Sequence, residues 1–146
     1  MEKILVGIDG SDASKAALRW AVEDARARGA EVVALHAYEV AVPAADAVPV
    51  APVDLPALTA ETHAGALRFV AEIVDEVVGN AVTVNVAPMA VEDEPVRALL
   101  DAARDADLLV VGHRGHRLGG FLGSVSLECA QHAACPVLIH RGSTPQ

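Results

Sequence analysis

The sequence predicts an α/β domain in which a parallel sheet carries helices on both faces, the doubly wound arrangement. Three observations predict it. Short apolar runs rich in β-branched residues recur along the chain, and most are continuous rather than alternating, as strands buried on both faces require. Segments with apolar residues at helical spacing lie between them. The whole is 146 residues without a dividing linker or an internal repeat, the size of one domain.

The first run, "KILVGID" at residues 3–9, ends on a Gly/Ser turn. "SDASKAALRWAVEDARARG" follows, with Ser11 placed to cap a helix and Gly29 to stop it. Ala17, Leu18, Ala21, Val22 and Ala25 form its apolar stripe. "AEVVALHAY", residues 30–38, is the second strand, so the first three elements make a right-handed βαβ unit. Residues 39–57 hold four prolines among Ala, Val and Asp and read as a variable loop. A second helix is expected over 58–78, on Leu67, Val70, Ala71, Val74 and Val77. "AVTVNVA", residues 81–87, alternates strictly and predicts a more exposed edge strand. "EPVRALLDAARDA" opens with Pro95 near a first helical position and gives the third helix. "DLLVVG" at 107–112 is the fourth strand, 124–134 the fourth helix and "CPVLIH" at 135–140 the fifth strand.

Composition narrows the function. Acidic residues outnumber basic ones by 20 to 11, for a net charge of -9, which argues against coating a nucleic acid. No apolar run approaches the ~20 residues that span a bilayer. Asp9 interrupts the N-terminal run before a signal-peptide core can form. Two cysteines, Cys129 and Cys135, make no disulfide framework. The expected setting is soluble, reducing and cytoplasmic.

Against this acidic background, five glycines, two arginines and two histidines gather between Val111 and Ser124. In open α/β sheets, ligands collect beyond the carboxyl ends of strands where strand order reverses. "GIDGS" after the first strand and this Gly-rich loop after the fourth are the two candidate borders. A helix start at Gly123-Ser124-Val125 adds unpaired N–H groups and a positive dipole end, suited to a phosphate. Leu127 stands where a capping box needs Glu or Gln, so no such box occupies that end. No GxxxxGK[ST] and no GxGxxG occur, which excludes a Walker-type site and speaks against a dinucleotide site.

"ILVGIDGSDASKAALRWA", "VVALHAY", "DADLLVVGHRGH" and "LGSVSLECAQHAACPVLIHR" together resemble the universal stress protein family over nearly the full length. The resemblance implies a single Rossmann-like domain, residues 1–146, with strand order 3-2-1-4-5. In the nucleotide-binding branch, the pattern is Gly, two residues, Gly, nine residues, Gly, then Ser or Thr. Gly112 and Gly115 match its start and Gly123 and Ser124 its end, with seven residues between rather than nine. That shortens the arc over the phosphates. The resemblance further implies ATP or another adenine nucleotide as ligand. Asp9 would lie at the nucleotide, and Ala37 would offer backbone groups to adenine. Gly112 and Gly115 would let the chain approach ribose and phosphates. The N–H groups of Gly123, Ser124 and Val125, with the Ser124 hydroxyl, would hold the phosphate tail. Charge alone adds Arg114 and Arg117, whose guanidiniums suit charge-assisted bonds to a polyphosphate, with Mg²⁺ to share that charge. Exposed edges invite pairing, and the resemblance implies dimerisation through the last strand, so a homodimer is expected.

Plainer roles stand beside these. Asp9 could cap its own turn, the glycines could serve tight turns and close packing, Ser124 is a natural N-cap, and the two arginines could be solvated loop charges. Cys129-x-x-His132-x-x-Cys135 and His113-x-x-His116 imitate metal-ligand spacing. Cysteines six apart fall on different faces of a helix, however, and core packing explains them better. His36 reads as a hydrogen-bonded histidine among apolar neighbours, and Glu92 and Glu94 as an acidic helix start. No nucleophile with a positioned base is legible. The expectation is therefore a nucleotide-dependent stress-response switch with at most slow ATP hydrolysis; the alternative is a dimeric interaction protein that binds no nucleotide.

Overall fold

The computed structural model describes residues 2–40, 54–79, 83–113 and 123–142. Its elements run β1 (Lys3–Gly7), α1 (Asp12–Arg28), β2 (Glu31–Tyr38), α2 (Leu55–Val78), β3 (Val86–Glu92), α3 (Pro95–Ala103), β4 (Leu108–Gly112), α4 (Ser124–His132) and β5 (Val137–His140). The five strands form one parallel sheet in the order β3-β2-β1-β4-β5, as expected from the sequence. Val6 stands opposite Ala34 on one side and Val110 on the other, so β1 is central. Strand order reverses between β1 and β4.

Alternation along each strand builds two cores. Ile4, Val6, Val32, Ala34 and Val110 face α1 and α2, meeting Leu18, Val22 and Val70. Leu5, Leu35, Leu109 and Val111 face the other way, against Leu99 and Cys129 of α3 and α4. Continuous apolar strands are thus needed because both faces are covered. Helix ends follow local chemistry. Ser11 Oγ accepts the Ser14 N–H at 3.2 Å to open α1, and Gly29, at φ 71°, closes it.

Several boundaries differ from the sequence expectation, the starts of α2 and β3 by three residues or more. Helix α2 begins at Leu55 rather than 58, because Asp54 caps it through the Ala57 N–H at 3.2 Å and Pro56 suits a first turn. Of the expected 39–57 loop, residues 41–53 lie outside the described residues. The third strand is Val86–Glu92 where 81–87 was expected, and residues 81 and 82 of that span lie outside the described residues. Its Pro88 reads as a breaker in sequence, yet β3 is an edge, where proline is tolerated. Asn85 O accepts from Val32 N, and Asp93 N donates to Tyr38 O. By alternation the backbone of residues 87, 89 and 91 also faces β2, leaving the Pro88 nitrogen on the outer side, where no ladder bond is lost. Strands β1 and β5 are each trimmed by two residues at one end relative to expectation.

Candidate functional site

At the carboxyl edge, the ends of β1 and β4 border a crevice of about 330 Å³. Its floor is apolar, formed by Gly7, Leu35, Leu99 and Val111 on the α3/α4 side of the sheet. Gly7 is small for a reason: a Cβ there would lie 3.1 Å from a Leu99 methyl. The polar groups gather at two walls.

The first wall is the β1–α1 turn. Asp9 Oδ1 accepts the Ser11 N–H at 2.9 Å and the Ser11 hydroxyl. Ser14 Oγ donates to the Ser11 carbonyl at 2.9 Å. Ser11 and Ser14 are buried, and with Asp9 they line the crevice. The turn depends on Gly10 at φ 86°, where a Cβ would also strike the Phe69 ring at 2.8 Å. The role of Asp9 in its own turn, one of the readings above, is therefore real, and it holds the carboxylate at the crevice. Next to it, His36 Nδ1 lies 2.8 Å from the Ile8 carbonyl. A carbonyl only accepts, so the ring proton sits on Nδ1. The ring packs 4.7 Å from Phe69, as a hydrogen-bonded histidine among apolar neighbours.

The second wall is the start of α4 against the end of β4. Gly123 occupies the N-cap position and brings no capping side chain, so the N–H groups of Ser124 and Val125 open the helix toward the crevice they line. The Gly123 N–H itself donates to the His113 carbonyl at 2.7 Å. That bond engages the Gly123 amide in joining the start of α4 to the end of β4. At Gly112 the close-packing reading of the glycines applies. A Cβ there would lie 2.9 Å from the Ala13 backbone, so close packing of α1 on β4 already requires glycine.

Six sequence-predicted residues, Asp9, Ala37, Gly112, Gly123, Ser124 and Val125, are thus brought to one crevice. Arg114, Gly115 and Arg117 lie outside the described residues. Among the described lining residues, Asp9 is the sole Asp, Glu, Lys or Arg, so an anion would be met there by backbone N–H groups and the Ser124 hydroxyl. Sequence reasoning missed Leu99, Pro95, Ser14 and Ser126. The last two were visible only as small polar residues within helices.

The cysteines behave as core groups. Burial, followed by the Glu128 carboxylate, pushes the Cys129 thiol up to about 11. Burial also raises Cys135, with Asp107 adding to it. Among the described residues no three His, Cys, Asp or Glu side chains group to hold a metal ion. Nor is any described helix long and apolar enough to cross a membrane.

A parallel doubly wound sheet with a crevice at its switch point defines an open α/β domain of the Rossmann-like class. The family model described as "Universal stress protein family" matches residues 1–141, and the chain belongs to that family. It is 35% identical over 144 residues to a universal stress protein of Mycobacterium tuberculosis, covering 96% of this chain and 45% of the relative. The chain therefore spans about half the length of the mycobacterial relatives it matches. A Thermus aquaticus universal stress protein is 34% identical over 146 residues, covering 94% of this chain and 97% of the relative. A crystal structure of a universal stress protein in complex with cAMP superposes with a TM-score of 0.70 at 29% identity, covering 97% and 98% of the two chains.

Proposed function

We propose that the chain binds an adenine nucleotide, ATP in the first instance, and acts as a nucleotide-dependent regulatory switch in a cytoplasmic stress response. The observation that carries this reading is the convergence of Asp9, Ala37, Gly112, Ser124 and Val125 on one crevice with an apolar floor. A flat, uncharged base suits Leu35, Leu99 and Val111. A phosphate suits the Ser124 and Val125 amides and the Ser124 hydroxyl, where the helix dipole adds positive potential. The similarity to a family member in complex with cAMP supports the ligand class. Arg114 and Arg117, with Gly115 allowing close approach, supply charge for a polyphosphate, and Mg²⁺ shares it. Hydrolysis is at most slow: among the described lining residues, the Ser11 hydroxyl that meets the Asp9 carboxylate is engaged in capping α1. Binding shifts the population of states that partners meet.

The chain acts as a homodimer through β5. That edge is only partly covered at all four of its residues, while the opposite edge carries Pro88. A second reading, a dimeric interaction protein without nucleotide, is favoured by the seven-residue arc between Gly115 and Gly123. One experiment separates them. Purified protein is denatured and the supernatant chromatographed for adenine nucleotide, then ATP, AMP and cAMP are titrated with Mg²⁺ present. Released nucleotide or saturable binding is expected; neither being found selects the second reading.

A further inference from the structure

We infer that Ser126 is a positioning residue that aims the first-turn amides of α4 at the phosphate of a bound nucleotide. This rests on the adenine-nucleotide reading above. Ser126 is 3% exposed, and its hydroxyl donates to the Gly112 carbonyl at the end of β4. Hydroxyls in a first helical turn usually bond within their own turn; this one reaches another element. Together with the Gly123 N–H on the His113 carbonyl, it ties the start of α4 to the end of β4 at two points.

Gly112 is held from its other side as well. The Ala13 backbone stands 2.9 Å from where its Cβ would be, so β4 abuts the first turn of α1. That turn is capped by Ser11, which also fixes Asp9. A continuous line of contacts, Asp9 to Ser11 to Ala13 to Gly112 to Ser126, thereby sets the two crevice walls relative to each other. Ser126 is the link in that line nearest the anion donors.

The consequence is selective. Backbone N–H bonds to a phosphate are directional and weaken steeply once misaligned, whereas burial of a base on Leu99 and Val111 is not directional. Loosening α4 at Ser126 therefore weakens the phosphate contacts and spares the base. A role limited to stability would weaken all ligands alike.

The test compares AMP, ATP and adenosine by calorimetric titration on the intact chain, with folding checked by circular dichroism. Ser126→Ala is expected to raise the Kd for AMP and ATP about three- to tenfold and to leave that for adenosine unchanged. Ser126→Thr, which keeps the hydroxyl, restores wild-type affinity. Should Ser126→Ala fail to fold, Ser126→Thr against the isosteric Ser126→Val makes the same comparison. Equal losses for adenosine and AMP, or no loss for either, overturn the inference while the nucleotide reading stands. Absence of nucleotide binding by the wild-type chain removes both.

Discussion

A methyl group on Gly112 would press on the Ala13 backbone, which has little freedom to yield inside the start of α1. Gly112→Ala is therefore expected to cost about 1–3 kcal/mol, read from urea unfolding midpoints. Gly29→Ala tests the other way a glycine can matter. Its Cβ would meet nothing within 4 Å, so only the φ of 71° is strained, at about 1–2 kcal/mol. Cys129 sets a pH limit. Its folded thiol is raised to about 11 from 9.0, so the folded state holds the proton more tightly than the unfolded one. The resulting stability is fully present below pH 9.0 and is lost as the pH rises through about 11. Denaturation midpoints measured from pH 8 to 11 should fall more steeply for the wild type than for Cys129→Ala. At this scale the sequence was legible for residue type and much less so for partner. Asp9 and Gly123 could be placed at a crevice from their positions beside strands and a helix start. That Gly123 spends its N–H on His113, or that Ala13 is what demands Gly112, depends on contacts between segments about a hundred residues apart or folded across a loop.

Element by element, caps and periodicity located the helices well. Ser11 opens α1 and Pro95 opens α3 where their chemistry places them. Asp54 was hidden among prolines, and Asp54→Ala should cost about 1 kcal/mol by removing the α2 cap, measured by thermal or urea unfolding. Strand β3 was misplaced because alternation in 81–87 looked more regular than the proline-bearing run that pairs with β2. Only the sheet order, in which β3 is an edge, makes Pro88 harmless. Strand β5 carries the proposed dimer, and its backbone pattern tells how to test it. The Pro136 and His140 carbonyls accept from Leu109 and His113, so by alternation the N–H of Ile139 points away from β4. Ile139→Pro should then leave the β4 ladder intact and convert a dimer to a monomer in sedimentation. Dimer persisting in a folded variant would move the interface elsewhere.

For the whole molecule, the doubly wound class was legible from continuous apolar strands alternating with helices, whereas the strand order, and with it the switch point between β1 and β4, came from the resemblance to the universal stress protein family. The crevice followed from that order, since the loops after two adjacent central strands must border one hollow. Its depth was not legible. It depends on Gly7 leaving room for Leu99, a contact between β1 and α3 that no local pattern announces. The two rims of the sheet are also unlike. Along β3 a proline ring stands where an incoming strand would seek a donor, while β5 offers an uninterrupted row. With β5 as the proposed joining strand, association uses one rim and saturates once two chains have met, whereas a sheet joined at both rims would recruit further copies without end.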